Sequence, residues 1–242
     1  MMKWRIIVSV IMLFALCSVC LAAKPAKVTN LVLYETHDDE TNVAGGSADD
    51  FIYSMVSVTK ELQPHIIGNL FYMHRNDIDE STRDASIFGA SYRRYYKTYN
   101  FSLSYYFNDQ NKLDRDADRF VLGLENTLLK PTKKSSIRLL SSYTTQTDWA
   151  TGVTLSEKLS YDFPLSDRTS SKLAYTYGYS LNENDQLYNQ YNAAVIHPLN
   201  KNSLVSLEYL FVDKVYSIDF GGGITREAED DNVLRLSIMY TY

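Results

Sequence analysis

Four carboxylates have the spacing of a calcium-binding loop. Asp114, Asp116, Asp118 and Glu125 occupy the first, third, fifth and twelfth positions of the EF-hand pattern, in which oxygens surround the ion. The sixth position, which needs glycine for a sharp turn, is Arg119. The residues after Arg119 follow the pattern of a strand, which would carry Glu125 away from a loop cation. We therefore interpret the group as a solvated acidic loop and expect no metal and no other cofactor.

A histidine and several carboxylates form a second candidate site. His37 precedes Asp38 and Asp39, and Asp49 and Asp50 follow in the same polar loop. A carboxylate pair beside an imidazole can activate water for hydrolysis. Because the whole cluster lies in one loop, a negatively charged surface is the better interpretation. We expect no enzyme activity and keep a hydrolase with an unrecognised catalytic set as an alternative.

Most of the remaining chain alternates between apolar and polar residues. Tyr99, Phe101, Leu103 and Phe107 alternate with mostly polar neighbours, and residues 172–181 repeat the pattern. A period of two over about ten residues indicates a strand with one apolar and one polar face. No comparable helical period follows residue 23.

Prolines mark turns at regular intervals. Pro64, Pro131, Pro164 and Pro198 are separated by 67, 33 and 34 residues, and the turns at 130–135, 164–169 and 198–203 have similar sequences. Each interval fits two strands, one short turn and one longer loop, and the interval of 67 residues fits two such units. This is the hairpin repeat of an up-and-down barrel.

The sequence predicts an all-β antiparallel barrel of about twelve strands. Long polar loops are predicted at 37–50, 76–84, 108–117 and 214–231, and tight turns join the strands at the other end. The predicted strands are 28–36, 51–62, 66–75, 85–95, 98–107, 118–129, 135–145, 149–163, 171–181, 187–197, 203–213 and 232–242.

The N-terminal segment has the parts of a secretory signal peptide. Lys3 and Arg5 give it a positive start, residues 6–16 are apolar, and Cys20 and Ala22 stand at the −3 and −1 positions of a cleavage site. We predict a signal peptide over residues 1–22 and a mature chain over residues 23–242. An uncleaved anchor helix and a lipoprotein are the alternatives.

The amino-acid composition limits the kinds of binding partner and surroundings that suit this chain. The net charge of −5 and the lack of a Lys/Arg-rich run argue against a nucleic-acid partner. Both cysteines, Cys17 and Cys20, lie in the predicted signal peptide, so the mature chain has no thiol to mispair during export. The 20 tyrosines suit a surface that meets both lipid and water.

Three features place the apolar faces outside the barrel. About twelve strands enclose a lumen too wide for side chains to fill as an apolar core. Tyr99 and Phe107 stand at the two ends of one apolar face, about 26 Å apart along the strand at ~3.3 Å per residue. At a tilt of about 40° this is roughly 20 Å of height, close to the apolar band between aromatic girdles. Finally, the sequence ends on a strand.

That last strand carries a family resemblance. Apolar and aromatic residues alternate up to the final position: Leu234, Leu236, Ile238, Tyr240 and Tyr242. The pattern resembles the C-terminal membrane-insertion signal of bacterial outer-membrane β-barrel proteins, although the last residue is Tyr where Phe is usual. The resemblance extends over the signal peptide and the mature chain and identifies no subfamily. It implies a transmembrane barrel in a Gram-negative outer membrane, with contacts to membrane lipid and lipopolysaccharide and insertion by the barrel assembly machinery.

Charged residues on the polar faces would then line the lumen: Arg93, Glu125, Arg138, Lys158, Lys172, Glu208 and Arg235. Glu125 and Arg138 lie nearly opposite each other across the turn at 130–134. One interpretation is a mixed-charge pore lining that passes small polar solutes, as in a porin. The other is an ion-pair network that fills a non-conducting structural or surface-interaction barrel. Charges of both signs argue against a dedicated polyanion channel.

Overall fold

The computed structural model describes residues 25–37, 50–78, 84–110, 115–146, 153–181, 185–214, 217–219, 225–227 and 230–242. The predicted signal peptide, residues 1–22, lies outside these ranges. Asp38, Asp39, Asp49 and Asp114 of the two candidate sites also lie outside them. No helix among the described residues is long and apolar enough to cross a membrane.

Twelve long antiparallel strands form a closed barrel, as the sequence predicts. Each long strand pairs with its neighbours in the chain, and the first strand closes the barrel against the last. The strands are β1 (Lys27–His37), β2 (Asp50–Gln63), β3 (Ile66–Asp77), β4 (Ala85–Tyr95), β5 (Tyr99–Gln110), β6 (Arg115–Thr132), β7 (Ser135–Gln146), β8 (Val153–Pro164), β9 (Ser170–Ser180), β10 (Asp185–Pro198), β11 (Ser203–Lys214) and β14 (Asp231–Thr241).

The structure adds one hairpin to the predicted set. β12 (Ser217–Asp219) and β13 (Thr225–Glu227) pair with each other within the segment 214–231, which the sequence predicts as a loop. These strands have three residues each, too short for the alternation of apolar and polar residues to be read. They form a sheet separate from the barrel.

The two faces of the barrel wall differ in exposure. Leu236 and Ile238 of β14 are 47% and 53% exposed, whereas Ser237 between them is 8% exposed. In β1, Tyr34 is exposed but the neighbouring Glu35 is buried. Soluble proteins place apolar side chains inside and charged ones outside. The reversed arrangement is the one that a strand wall requires when lipid surrounds it.

Aromatic side chains mark both ends of the outer face. At the end with short turns, the rings of Tyr96 and Tyr99 stack with their centres 4.3 Å apart, and those of Tyr240 and Tyr242 are 4.5 Å apart. At the opposite end, tyrosine hydroxyls donate to polar side chains closer to the loops, as from Tyr34 to Asp50 at 2.8 Å. Rings with an apolar body and a polar tip are suited to the two boundaries between hydrocarbon and water.

The three similar turns do not all fold alike. In two of them the backbone closes in the same way, with Leu165 N–H donating to Thr169 C=O and Leu199 N–H donating to Ser203 C=O, both at 2.9 Å. In the third, β6 continues through irregular pairing to Thr132, so the turn contains only Lys133 and Lys134. The β-bulges there account for the extra residues in β6.

Candidate pore lining

Side chains that meet across an intervening strand identify the inner face of the barrel. Phe71 of β3 lies over Gly89 of β4, and its ring centre is 5.6 Å from that of Tyr106 on β5. Contacts between next-nearest strands form on the concave side of a curved wall, where side chains converge. Tyr188 of β10 covers Gly178 of β9 on the same side. Residues that share these faces therefore line the lumen.

The structure places all seven predicted lining charges at inward-facing positions of the strands: Arg93, Glu125, Arg138, Lys158, Lys172, Glu208 and Arg235. Glu125 and Arg138 belong to one ion-pair network, and Glu208 and Arg235 belong to another. Arg93 instead lies at the end of β4, beside the short turn, where its guanidinium is 3.4 Å from the Tyr95 hydroxyl.

The first network, which we call the Arg138 network, joins β6, β7 and β8. Arg138 donates to Glu125 at 3.2 Å and to Asp162 at 2.6 Å. Asn100 of β5 donates to the same Glu125 at 3.0 Å. The proximity of Glu125 and Arg138 follows from the turn between their strands, as the sequence indicates. The side chains of this network are about a quarter to a third exposed, so water in the lumen reaches them.

The second network, the Arg235 network, lies at the seam where the barrel closes. Arg235 of β14 donates to Glu35 of β1 and lies 3.5 Å from Glu208 of β11. Glu35 also accepts hydrogen bonds from the Tyr53 hydroxyl and the His37 imidazole, both at 2.8 Å. Its side chain is only 5% exposed, so these donors replace the water that a carboxylate would otherwise bind.

Asp231 extends the Arg235 network, since it lies 2.9 Å from the His37 imidazole. Sequence reasoning missed five members of these networks: Glu35, Tyr53, Asn100, Asp162 and Asp231. Each of them occupies an inward-facing position, so the alternation within its strand was an available signal. Alternation does not reveal the partner, however. Glu35 and Arg235 are 200 residues apart in the chain and meet only because β1 pairs with β14.

In the described part of the chain, the two lysines of the lining lack the ion-pair contacts that Arg138 and Arg235 form. Within the described residues, neither Lys158 nor Lys172 forms a hydrogen bond or an ion pair. Both lie on the inner face of the β8–β9 pair, separated along the strands by the small residues Ser160 and Ala174. Lys158 is within electrostatic range of Lys172 and of the carboxylates of Glu208 and Asp162, and Lys172 is paired in register with Asp162. These two ammonium groups are therefore positive charges that no carboxylate neutralises by direct contact.

In each of the two alternative sites, the described members lie on opposite faces of the barrel wall. His37 faces inward and lies between Glu35 and Asp231, at 2.8 and 2.9 Å, whereas Asp50 faces outward and accepts from Tyr34. His37 and Asp50 thus lie on opposite sides of the wall and cannot act on one water molecule.

The described carboxylates with calcium-loop spacing also lie on opposite faces of the wall. Residues 115–132 form one strand, which places Asp118 on the outer face, where it accepts from the Tyr105 hydroxyl at 2.5 Å. Glu125 of the same strand points into the lumen and contacts Arg138. A calcium ion needs its oxygen ligands on one side of a turning loop.

No protein-family model matches the chain, and no curated protein matches it. Solved structures do match: the chain has the closed-barrel fold of bacterial outer-membrane porins, which confirms the predicted fold class. The KdgM porin aligns with a TM-score of 0.57 and 9% identity, over 88% of this chain and 99% of that one.

Two further structures share the fold. The NanC porin aligns with a TM-score of 0.56 and 9% identity, over 87% of this chain and 98% of that one. A KdgM porin in complex with disordered oligogalacturonate also aligns at 0.56, with 10% identity, over 88% of this chain and 99% of that one. At these identities the similarity establishes the fold and no subfamily.

Proposed function

We propose that the protein is a porin-like passive channel for small hydrophilic solutes in a bacterial outer membrane. The observation that carries the proposal is a closed twelve-strand barrel that is apolar outside and bears charged side chains of both signs inside. Solutes would cross by diffusion, since a polar, hydrated lining replaces part of their hydration shell. Such a channel performs no covalent chemistry and needs no cofactor.

The two lysines would set the charge preference of this channel. Arg138 and Arg235 each contact two carboxylates, so opposite charges screen the field of both guanidinium groups at short range. Lys158 and Lys172 lack such partners among the described residues and would act directly on a passing ion. We therefore expect a weak preference for anions, set mainly by these two side chains.

The alternative is a barrel that does not conduct and that acts through its surface. The Arg138 and Arg235 networks favour this reading, because they tie side chains of several strands together inside the lumen. The acidic loops would then provide the functional surface, bridged to lipopolysaccharide by divalent cations. The two candidates differ in one measurable property, which is ion flow.

Single-channel conductance in a planar bilayer tests the proposal. The mature chain, residues 23–242, would be refolded, and heat-modifiable gel mobility would show that the barrel had formed. Reproducible conductance steps are expected. A folded barrel without conductance would contradict the channel and favour the surface role. Oligogalacturonate, which accompanies one of the similar porins, is a reasonable first organic solute to test for current block.

A pair of matched variants tests the role of the lysines. In Lys158→Gln/Lys172→Gln both charges are lost, and in Lys158→Arg/Lys172→Arg both are kept. A unit charge about 10 Å from an ion in water contributes about 0.4 kcal/mol, with opposite sign for a cation and an anion. Removing two charges therefore changes the energy of each ion by about 0.8 kcal/mol and should shift the ratio of cation to anion permeability toward cations, by at most about 16-fold because salt screens the effect. The reversal potential in a salt gradient measures this ratio. An unchanged potential in the Gln variant would remove the lysines from the selectivity argument while leaving the channel itself intact.

A further inference from the structure

The short-turn end of the barrel carries a ring of exposed cations, which we call the basic rim: Lys27, Lys97, Lys130, Lys133, Lys134, Arg168 and Lys201. The rim lies in the described segments 25–27, 96–98, 130–134, 165–169 and 199–202, which are distributed around the barrel. Asp167 is the only acidic residue in these described segments, and it lies 3.5 Å from Lys134. The rim is therefore strongly positive.

Exposed apolar side chains lie among the cations of the basic rim. Leu128 and Leu129, next to Lys130, are 54% and 57% exposed, and Leu165 and Leu199 in two of the turns are 55% and 57% exposed. Large apolar residues in tight turns would be unfavourable in water. Such apolar residues are stable when they insert into the edge of a hydrocarbon layer and the neighbouring lysines contact the headgroups.

The opposite end of the barrel has the opposite charge. The sequence segments that connect the strands there, 38–49, 78–84, 111–114, 147–152, 181–184 and 215–230, contain 14 acidic and 3 basic residues. Charge is thus polarised along the barrel axis. A soluble acidic partner would need one compact patch, whereas the basic rim follows the perimeter at the depth of the aromatic rings and is interrupted at the β2–β3 turn, which contains Pro64 and His65. A ring with this geometry is complementary to an anionic lipid surface.

We propose that the basic rim binds anionic phospholipid headgroups in the membrane leaflet on the short-turn side. The proposal rests on the membrane placement of the barrel and is independent of whether the lumen conducts. Each lysine near an anionic membrane surface contributes about 1 kcal/mol, which is about 5-fold in lipid affinity. The apolar neighbours fix the depth of the rim, and the cations select the headgroup charge.

Native mass spectrometry of the full mature barrel tests the proposal. The protein would be released from nanodiscs containing phosphatidylcholine and phosphatidylglycerol in equal amounts, and the bound lipids counted. The wild-type barrel should retain phosphatidylglycerol preferentially. Lys130→Gln/Lys133→Gln/Lys134→Gln should lower this preference at least about 5-fold, the loss expected from one lysine. The control Lys130→Arg/Lys133→Arg/Lys134→Arg should keep the preference, and Arg168→Gln/Lys201→Gln should repeat the loss at other turns.

Three results would overturn the proposal. One is equal retention of both lipids by the wild-type barrel, and another is an unchanged preference in both Gln variants when gel mobility shows that they are folded. The third is full competition by soluble glycerol phosphate, since the site would then recognise a free phosphate and not a lipid surface. Loss of conductance with a retained preference would contradict only the channel. A chain that folds in no bilayer would contradict the membrane placement on which both proposals rest.

Discussion

Removal of Arg235 should destabilise the barrel more than removal of Arg138, although each guanidinium contacts two carboxylates. The difference lies in burial. Glu35, the partner of Arg235, has a side chain only 5% exposed, whereas the partners of Arg138 are 26% and 30% exposed. A buried carboxylate that loses a cation cannot recruit water in its place, but a partly exposed one can.

The magnitude follows from the contacts at each carboxylate. In Arg235→Met, Glu35 loses a charge-assisted hydrogen bond worth about 1.5–3 kcal/mol but keeps the Tyr53 and His37 donors. The contact with Glu208, which is 29% exposed, adds at most about 1 kcal/mol. The total loss is about 3 kcal/mol. In Arg138→Met both carboxylates remain hydrated, and we expect a loss of about 1 kcal/mol.

Urea unfolding in lipid vesicles, followed by heat-modifiable gel mobility, measures these losses as shifts of the unfolding midpoint. The double variant Arg235→Met/Glu35→Gln removes the buried charge as well and should regain part of the stability lost in Arg235→Met. Equal losses in the two single variants would refute the argument from burial. A double variant less stable than Arg235→Met would show that the unpaired carboxylate is not the cause.

Two further variants test the packing of the wall. Gly178→Ala should destabilise the barrel by about 1–3 kcal/mol, because the added methyl group would overlap the ring of Tyr188, and Gly178→Ala/Tyr188→Leu should recover part of the loss in the same assay. Glu157 interrupts the lipid-facing side of β8 and accepts a hydrogen bond from Ser141 at 2.8 Å. Glu157→Leu should therefore raise the free energy of unfolding by less than about 2 kcal/mol, which the assay would show as a higher midpoint. Glu157→Gln, which keeps a polar group, should give a smaller gain, and a lower midpoint for Glu157→Leu would show that this carboxylate stabilises the barrel.

The sequence alone determined the twelve long strands of the barrel and their faces. Strict alternation, as from Tyr99 to Phe107, is a local property, because successive side chains of a strand point to opposite sides. Turn signals such as Pro164 and Pro198 are equally local and place the tight turns, although the similar turn at 130–135 pairs irregularly. These two kinds of information place the seven lining charges on one face without any knowledge of pairing partners.

Only the tertiary structure decided which of those charges meet. Arg138 and Glu125 belong to one hairpin, and their proximity could be read from a few residues of sequence. Arg235 meets Glu35 because the last strand closes on the first, and the register of that closure depends on the tilt and stagger of the whole barrel. His37 and Asp50, which the sequence groups in one candidate site, lie on opposite sides of the wall because Asp50 pairs with Thr36 and successive residues of a strand alternate in direction. Local periodicity decides which side of the wall a side chain faces, whereas barrel closure decides which side chains of the first and last strands become neighbours.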